Sequence, residues 1–359
     1  MTRRPILRPA LVAAAALALL AGAATAYADV PPPHFMQVNQ VSDTGGPAAA
    51  LTDDNAVNSW GLAFSPSSPL WVANNGTNTA TLYAGGLNGA PVTKVGLTVT
   101  IPGGAPTGQV FNGDSNSFIV TGPNGSGPAR FIFDSEEGEI TGWNPTAAPT
   151  TAIVAAKVDG AIYKGLALLV TNAGPMLLAA DFHNARIDVF DASFQQVVLP
   201  ASAFHDPDLP TGYAPFNVAV LAGSVYVAYA KQDVDAEDEA AGPARGFVDR
   251  YATDGQFIER VASHGTLNAP WGLAIAPASF GSFAGDLLVG NFGDGRINVF
   301  HGTEFLGQLR DQNNHKITID GLWALLPGTA STGGTGTVWF SAGPDEESHG
   351  LVGQLIPTS

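Results

Sequence analysis

The chain has 359 residues, of which 45% are hydrophobic and only 13% are charged, so it is too apolar for a disordered protein and long enough to bury a large core. It carries 15 Lys and Arg against 31 Asp and Glu, a net charge of −16, which makes nucleic acids and anionic membrane surfaces poor partners. It contains no cysteine, which excludes disulfides, thiolate catalysis and Cys-ligated zinc.

Residues 1–28 have the pattern of a signal peptide. A pair of arginines precedes a stretch rich in alanine and leucine, and the sequence AYA at 26–28 matches an A-x-A cleavage site. The start TRRPIL also approximates the twin-arginine export pattern, so the general secretory (Sec) route and the twin-arginine route are both open. We expect cleavage after residue 28, a mature domain at 29–359 and a periplasmic or extracellular protein. The mature chain has no segment with the apolar length of a membrane span.

A strand-like segment, HFMQVNQV at 34–41, is followed by a hairpin pattern that recurs six times. Each copy has a β-branched or aromatic run, a turn rich in Gly, Asn and Asp, and a second such run. Two copies are nearly identical, LLAADFHNARIDVF at 177–190 and LLVGNFGDGRINVF at 287–300. The second copy in the chain is FIVTGPNGSGPARFIF at 118–133. The copies begin at 70, 118, 177, 225, 287 and 338.

Short apolar strands flank these hairpins. WGLAFSP at 60–66 and WGLAIAP at 271–277 each precede a hairpin, and QFIERVA and EFLGQLR each follow one. Four antiparallel strands in a unit of roughly fifty residues, repeated along the chain, are typical of a β-propeller blade. The sequence therefore predicts an all-β fold, a six-bladed β-propeller in one domain. We expect residues 34–41 to supply the outer strand of the last blade, because ring closure protects the sheet edges.

The motifs also resemble known propeller families. AADFHNARIDVF and GNFGDGRINVF are similar to the NHL-type blade, in which Arg-Ile-x-Val-Phe follows the turn. APFNV, YAKQD, IDGLWAL and FSAGPDEESHG resemble a family of exported bacterial proteins without an assigned activity, and such motifs extend from about residue 36 to residue 355. The resemblance implies a six-bladed, NHL-like propeller. It implies no particular activity, because propellers of this kind include lactonases, amidating lyases and binding scaffolds.

Propellers place ligands at a channel mouth formed by the loops that lead into the innermost strands and by the turns between second and third strands. Asp and Asn are common caps of such turns, which is the alternative to a ligand-binding role for them. The tryptophans could pack between blades or form a stacking platform for a flat ligand such as a sugar. Trp323 is equivalent to two of these tryptophans. The residues predicted to form the ligand-binding mouth are Asn58, Trp60, Asn75, Asp181, Asn217, Trp271, Asn291 and Asp320.

Two histidines lie beside carboxylates in the predicted mouth. His183 is close to Asp181, and His349 follows an Asp-Glu-Glu run, so both histidines are candidate acid–base residues. An ion such as Ca²⁺ or another divalent metal on the channel axis would need oxygen ligands from several blades. The candidate ligands for that ion are Asn75, Asn217, Asn291 and Asp320.

The acidic run DVDAEDEAAG at 233–242 begins like a calcium-binding loop. Asp233, Asp235 and Glu237 place oxygen ligands at alternate positions, as an EF-hand loop does. The run then lacks the glycine and the bidentate glutamate that an EF-hand requires. A solvated acidic loop and a loop ordered by Ca²⁺ are the two interpretations of this segment.

Three functions fit the sequence. The first is an exported binding or interaction module, a monomer that takes a small molecule, a glycan or a protein segment at the mouth. The second is a divalent-metal-dependent hydrolase or lyase, similar to a lactonase. The third is a structural part of an envelope or matrix complex. The sequence lacks G-x-S-x-G, H-E-x-x-H and P-loop motifs, so serine hydrolases, zincins and NTPases lose their usual support.

Overall fold

The computed structural model describes residues 32–45 and 49–358, and the signal peptide predicted at 1–28 lies outside the described residues. The described chain is almost entirely β, with three short 3-10 helices at Asn75–Thr77, Leu87–Gly89 and Ala278–Phe283. In chain order the strands are β1 (His34–Ser42), β2 (Leu51–Thr52), β3 (Ser59–Ala63), β4 (Leu70–Asn74), β5 (Thr79–Gly85), β6 (Val92–Thr100), β7 (Pro106–Phe111), β8 (Ile119–Gly122), β9 (Gly125–Pro128), β10 (Phe131–Ser135), β11 (Glu139–Trp143), β12 (Ile153–Lys157), β13 (Tyr163–Thr171), β14 (Gly174–Asp181), β15 (Arg186–Phe190), β16 (Gln196–Val197), β17 (Tyr213–Leu221), β18 (Ser224–Lys231), β19 (Phe247–Tyr251), β20 (Phe257–Ser263), β21 (Pro270–Ile275), β22 (Leu287–Asn291), β23 (Ile297–His301), β24 (Glu304–Gln308), β25 (Leu322–Pro327), β26 (Val338–Ala342) and β27 (Leu351–Thr358).

These strands form the predicted six-bladed propeller, with four antiparallel strands in each blade. Blades 1, 3, 4 and 5 take consecutive strands, namely β3 to β6, β13 to β16, β17 to β20 and β21 to β24. Blade 6 has the order β1-β27-β26-β25, with β2 added in parallel outside β1. The innermost strands are β3, β7, β13, β17, β21 and β25. Among the described residues, no helix is long and apolar enough to cross a membrane.

The N-terminal strand closes the ring, as its sequence predicted. β1 pairs antiparallel with β27, with His34 opposite Thr358 and Ser42 opposite Leu351. The first and last described strands are therefore held in one sheet, and the outer strand of blade 6 comes from residues 34–42. The side chain of Phe35 in this strand is fully buried against Phe280, so the closing strand also contributes to the core.

One prediction, the position of the central hairpin of blade 2, is wrong. The segment 118–133 was expected to form its central hairpin, but β8 and β9 instead make a separate two-stranded hairpin, and the blade uses β7, β10, β11 and β12. The glycine-rich turn was recognised correctly, and burial explains the difference. Ile119 in β8 is 49% exposed, whereas every residue of β10 is buried. The fully buried run FIFDS therefore forms a strand of the blade, and the run before it, with an exposed Ile119, does not.

Each innermost strand has a β-bulge close to its start. The register between first and second strands shifts at this point in all six blades. A bulge redirects the side chains of the residues it contains. The residues in these bulges are Trp60, Thr107, Lys164, Phe216, Trp271 and Trp323, one from each blade.

Small residues follow the bulges because neighbouring blades approach closely there. A Cβ atom on Gly61 would lie 2.4 Å from the carbonyl oxygen of Thr107, and one on Gly165 would lie 2.2 Å from Oδ1 of Asn217. Both distances are well below van der Waals contact, so glycine is required at these two positions. The close approach brings the six bulged residues near the channel axis.

Candidate functional site

The two ends of the channel are defined by strand direction. At the upper end the innermost strands begin, and the turns between second and third strands lie there too. At the lower end the innermost strands finish. The predicted mouth is the upper end.

Aromatic side chains close the channel just below this mouth. The ring of Trp323 stacks on Trp60 at 3.6 Å between centroids and on Phe292 at 4.0 Å. Trp271 meets Trp60 and Trp323 edge to face, and Phe216 lies 5.8 Å from Trp323. We call these five residues the aromatic plug. Its three tryptophans are at most 5% exposed, so they pack together as core residues and present no open stacking surface.

A buried lysine lies directly above the plug. Lys164 is 1% exposed, and its Nζ lies 5.6 Å from the centre of the Trp60 ring. The same ammonium group forms ion pairs with Glu136 and, at 2.8 Å, with Oδ1 of Asp238. The indole nitrogen of Trp271 donates a hydrogen bond of 2.8 Å to the carbonyl of Lys164 and fixes its backbone. Lysine is rarely buried without such partners.

Amide side chains extend this cluster across the mouth. Asn75 donates to Oε2 of Glu136 at 2.8 Å, and Asn58 donates to Oε2 of Glu347 at 2.6 Å and to Oδ1 of Asn75 at 3.3 Å. The indole nitrogen of Trp323 donates to Oδ1 of Asn58 at 2.9 Å, which links the cluster to the plug. We call Asn58, Asn75, Glu136, Lys164, Asp238 and Glu347 the lysine network. Lys164 comes from the innermost strand of blade 3, and the other members come from loops of blades 1, 2, 4 and 6.

The lysine network contains more carboxylates than cations, and the pKa values of its lysine and of nearby glutamates are raised. Burial tends to lower the pKa of Lys164, but Glu136 and Asp238 outweigh it and raise that pKa above the usual value, so the ammonium stays charged. Burial raises the pKa of Glu347, with Glu136 and Asp238 adding to the effect. Burial raises the pKa of Glu239 to about 8, opposed by Lys164. The ionised forms of these glutamates are therefore less stable in the folded protein than in water.

The loop that carries Glu347 is strained. Asp345, Glu346 and Glu347 have φ angles of 54°, 54° and 65°, a run of three non-glycine residues in the left-handed region. Each such residue costs about 1–2 kcal/mol. The loop is held by hydrogen bonds from the Asp345 N–H to Asp320 and from Asn58 to Glu347. Strain of this kind concentrates at functional sites.

Several residues predicted for the mouth act as turn caps. The carboxylate of Asp181 accepts the backbone N–H of Asn184 at 3.2 Å, and the amide of Asn291 donates to Asp294 at 2.9 Å and to the Thr266 carbonyl at 2.8 Å. These are the local bonds that the turn-cap interpretation expects. Neither residue has a side-chain hydrogen bond or ion pair with the lysine network.

The four candidate ligands of an axial metal do not form one set. Asn75 belongs to the lysine network, Asn217 donates to the Trp271 carbonyl at 2.8 Å, and Asp320 accepts from the Asp345 backbone. Asn291 closes its own turn. Within residues 32–45 and 49–358, no group of three or more His, Cys, Asp or Glu is arranged to hold a metal ion. The group at the centre of the mouth is the ammonium of Lys164.

The two candidate histidines, His183 and His349, bond to different groups. Nδ1 of His183 lies 3.1 Å from the carbonyl oxygen of Ala236, and Nδ1 of His349 lies 2.8 Å from Oδ2 of Asp43. The bond to Asp43 raises the pKa of His349. Neither imidazole is bonded to the carboxylate beside it in the sequence, Asp181 or Asp345.

The acidic insertion in blade 4 is held by protein groups. Oδ1 of Asp233 accepts the backbone N–H of Glu237 at 3.0 Å, and Arg245 donates to the carbonyls of Ala240 and Ala241 at 3.0 and 3.2 Å. Asp235 and Glu237 are exposed. The oxygen that the insertion sends toward the axis belongs to Asp238, and its partner there is Lys164.

Below the plug, the channel opens into a cavity of about 400 Å³ that residues from all six innermost strands line. Its walls are mostly aliphatic. The rim at the lower end is apolar as well, with half-buried side chains of Phe64, Phe111, Leu168, Val220 and Leu326.

The sequence analysis assigned no chemical role to Lys164 or Glu136. A signal for Lys164 was present, because YKGLAL places a lysine where the equivalent strands of blades 1 and 5 have tryptophan, in WGLAF and WGLAI. Glu136 gave no comparable signal, since it lies in an ordinary acidic turn, SEEGE.

Comparison with known proteins finds relatives along most of the chain. The uncharacterized protein R648 of Acanthamoeba polyphaga mimivirus is 32% identical over 320 residues, which cover 86% of this chain and 76% of R648. The uncharacterized protein L690 of the same virus is 32% identical over 338 residues, covering 89% of this chain and 85% of L690. No protein-family model matches the chain. These relatives are viral, whereas the motifs resembled a bacterial family, and the bacterial and exported character of the chain stays a prediction.

Solved structures with a similar chain course include two enzymes. Virginiamycin B lyase from Staphylococcus aureus is 15% identical with a TM-score of 0.48, and the match covers 90% of this chain and 98% of the lyase. The gluconolactonase XC5397 from Xanthomonas campestris is 14% identical with a TM-score of 0.40, covering 64% and 82%. Similarity at this level carries no information on a ligand or a reaction.

Proposed function

The chain belongs to the same protein family as R648 and L690 of Acanthamoeba polyphaga mimivirus, and we propose that it is a binding module whose upper mouth takes a cationic group. The group is an ammonium or guanidinium of a small molecule or of a protein segment. If residues 1–28 are a signal peptide, as predicted, this binding takes place outside the cytoplasm.

The observation that carries the proposal is the excess of carboxylates around one buried ammonium. Glu136, Asp238, Glu239 and Glu347 lie around Lys164, and burial, with repulsion between carboxylates adding to it, raises the pKa values of Glu239 and Glu347. A second cation would stabilise the ionised forms of these carboxyl groups. Carboxylates of the same two loops, those of Glu237, Asp345 and Glu346, are exposed and give such a cation an approach.

Two further features support binding at this end. The left-handed run at 345–347 stores strain in a loop that projects acidic side chains at the mouth. The aromatic plug below gives the network a rigid floor, because its three tryptophans are buried and in contact with one another. The network uses its carboxylates to bind Lys164 and the amides of Asn58 and Asn75, which favours a binding role over the metal-dependent hydrolase alternative.

The test is the binding of a labelled tetralysine peptide, measured by fluorescence anisotropy at 150 mM salt. At this ionic strength the Debye length is about 8 Å, so the peptide responds to nearby charges and little to the net charge of the protein. The mouth variant combines Glu237→Gln, Asp345→Asn and Glu346→Gln, which keep shape and remove three charges. We expect the dissociation constant to rise at least tenfold.

A matched control removes three charges elsewhere. Asp191→Asn, Asp254→Asn and Glu304→Gln lie in or beside the turns between third and fourth strands, at the lower end. We expect this control to bind tetralysine within twofold of the natural protein. An equal loss in both variants, or no saturable binding by the natural protein, would overturn the proposal.

A further inference from the structure

A carboxyl group is buried at the contact between blades 2 and 3. Asp134 lies on β10, the second strand of blade 2, just before the turn that carries Glu136, and it is 1% exposed. Its Oδ1 accepts the backbone N–H of Gly108 at 2.6 Å and lies 2.9 Å from Oγ1 of Thr107, the bulged residue of blade 2. Its Oδ2 is buried and has no hydrogen-bond partner among the described residues.

The hydrogen atoms at this contact can be counted. Oγ1 of Thr107 lies 2.9 Å from Oδ1 of Asp134 and 2.8 Å from the carbonyl oxygen of Tyr163 in blade 3. A threonine hydroxyl carries one hydrogen, and a peptide carbonyl oxygen carries none. If Asp134 were ionised, one of these two oxygen pairs would be in contact without a hydrogen bond. If Asp134 carries a proton on Oδ1, it donates to Thr107 and Thr107 donates to Tyr163, so both contacts are hydrogen bonds.

The environment of the carboxyl group favours the same protonation state. A buried carboxylate is stable when cations or several donors surround it. Asp134 has one N–H donor, from Gly108, and its Oδ2 has none among the described residues. Burial raises the pKa of Asp134 to about 7, opposed by the hydrogen bonds from Thr107 and Gly108 and assisted by the nearby charge of Glu136.

The cations on the strands of blades 2 and 3 all pair with other carboxylates. The ammonium of Lys164 binds Glu136 and Asp238, and Lys157 and Arg186 also have their own acidic partners. None of the three forms an ion pair with Asp134. The remaining titratable groups on these strands are Glu139, Tyr163, Asp181 and Asp188. All of these are acids, so none supplies a counter-charge that would stabilise an ionised Asp134.

Blade 6 builds the equivalent contact without an acid. The register with the innermost strand places Ser341 in β26 where Asp134 lies in β10. The hydroxyl of Ser341 accepts the backbone N–H of Ala324 at 3.1 Å and donates to the carbonyl of Trp60 in blade 1. A single hydroxyl therefore completes the contact between blades 6 and 1, whereas blades 2 and 3 use a threonine and an acid that can lose its proton.

We propose that Asp134 is a proton-operated latch between blades 2 and 3. With its proton, Asp134 is joined through Thr107 to the backbone of Tyr163, the residue before Lys164, and this link holds Glu136 and Lys164 side by side. Without the proton, which Asp134 loses above neutral pH, one of the two hydrogen bonds disappears and an unpaired charge remains between the blades. The contact then loosens. The latch lies below the mouth and works whether or not the mouth binds a cation.

The first experiment observes the proton itself. The full chain is labelled with 13C at the aspartate side-chain carboxyl, and Asp134→Ser, which copies blade 6, identifies the NMR resonance of Asp134. We expect a protonated carboxyl at pH 5 and a titration midpoint close to pH 7. An ionised carboxylate from pH 5 upward, such as one hydrated by a buried water, would overturn the proposal.

The second experiment tests the latch by hydrogen exchange of backbone amides at pH 6 and pH 8.5, corrected for the intrinsic exchange rate. We expect protection of residues 106–111 and 163–168 to fall at least threefold at the higher pH. The equivalent contact between blades 6 and 1, at residues 59–63 and 322–327, is the internal control and should change less than 1.5-fold. An equal fall at both contacts, or no fall at either, would contradict a latch at Asp134.

Urea unfolding gives an independent measure of the proton. The pKa of an unfolded aspartate is about 3.9, so between that value and about 7 the folded state binds one more proton and stability falls as pH rises. The unfolding constant of the natural protein, divided by that of Asp134→Ser, should rise up to tenfold per pH unit in this window. Asp254→Asn, at an exposed turn, should give a ratio that does not vary with pH. A constant ratio for Asp134→Ser would count against the proposal.

Asp134→Ser could fail to fold, because it shortens a buried side chain. Asp134→Asn, which keeps the size of the side chain, then identifies the resonance and serves as the reference in urea. The exchange experiment compares two contacts within the natural protein and needs no variant, so it decides the question in either case.

Discussion

The upper and lower ends of the channel are built from the same six innermost strands but have opposite chemistry. At the upper end, the bulged residues of five blades meet in the aromatic plug and the lysine network, and hairpin turns bring carboxylates and amides above them. At the lower end, the same strands contribute small and aliphatic side chains around a cavity. The difference shows that a repeated blade gives a repeated backbone, while the bulges and turns decide what each end can bind.

The largest effect is expected at the aromatic plug, which separates the two ends. Trp323 is fully buried, stacks on Trp60 and Phe292, and bonds to Asn58. Trp323→Ala should lower the free energy of unfolding by about 4 kcal/mol, since it leaves a large cavity. It should also uncover Trp60, so that acrylamide quenches the remaining tryptophan fluorescence more strongly.

Trp339→Ala is the matched control for this variant. Trp339 is also fully buried, but it lies on the second strand of blade 6 and, among the described residues, its ring pairs with no other tryptophan. We expect a comparable loss of stability without a comparable gain in quenching. Equal quenching in the two variants, or a loss below about 2 kcal/mol for Trp323→Ala, would contradict the role of the plug.

The fold could be predicted from the sequence far better than the site. The repeated hairpins predicted six blades because they recur along the sequence at regular intervals. The strand at 34–41 predicted the ring closure because it has no partner nearby in the sequence. Blade 2 was misassigned because a glycine-rich turn looks alike inside and outside a blade. The lysine network joins Lys164 to residues 28 and 74 positions away, and its ends, Asn58 and Glu347, are 289 apart. No spacing rule connects such residues, since the ring and not the local chain brings them together.

The next largest effect is expected from Lys164→Met, which removes the only ammonium of the lysine network. The buried or half-buried carboxylates around it would lose their counter-charge, so we expect a loss of about 3 kcal/mol at pH 8. Because Asp238 is 70% exposed, solvent replaces part of its interaction and keeps the loss from being larger. At pH 5 the loss should be smaller, because Glu239, with a pKa raised to about 8, is protonated there and adds no negative charge. Urea unfolding at the two pH values measures both.

Lys316→Met provides the comparison for this change. Lys316 is exposed and forms no ion pair with the described residues, so the same substitution should cost less than about 1 kcal/mol at either pH. If the two variants lose the same stability, Lys164 contributes no more than a surface lysine and the upper end has no buried charge network.

The smallest effect is expected from Glu239→Gln and concerns the dependence of stability on pH. Burial raises the pKa of Glu239 to about 8, above the value of about 4.3 for an unfolded glutamate, so between these values the folded state binds more protons. Stability therefore falls as pH rises through this window, and glutamine cannot take part in that fall. The variant should match the natural protein at pH 5 and exceed it by about 1 kcal/mol at pH 8.5, a fraction of the full linkage effect because Glu239 is partly exposed. Glu237→Gln, an exposed change two residues away, should show a difference that does not vary with pH. The stability difference between Glu239→Gln and the natural protein could instead stay constant from pH 5 to 8.5. That result would mean that the carboxylates at the upper end do not destabilise the fold. The two ends of the channel would then differ in amino-acid composition but not in electrostatic cost.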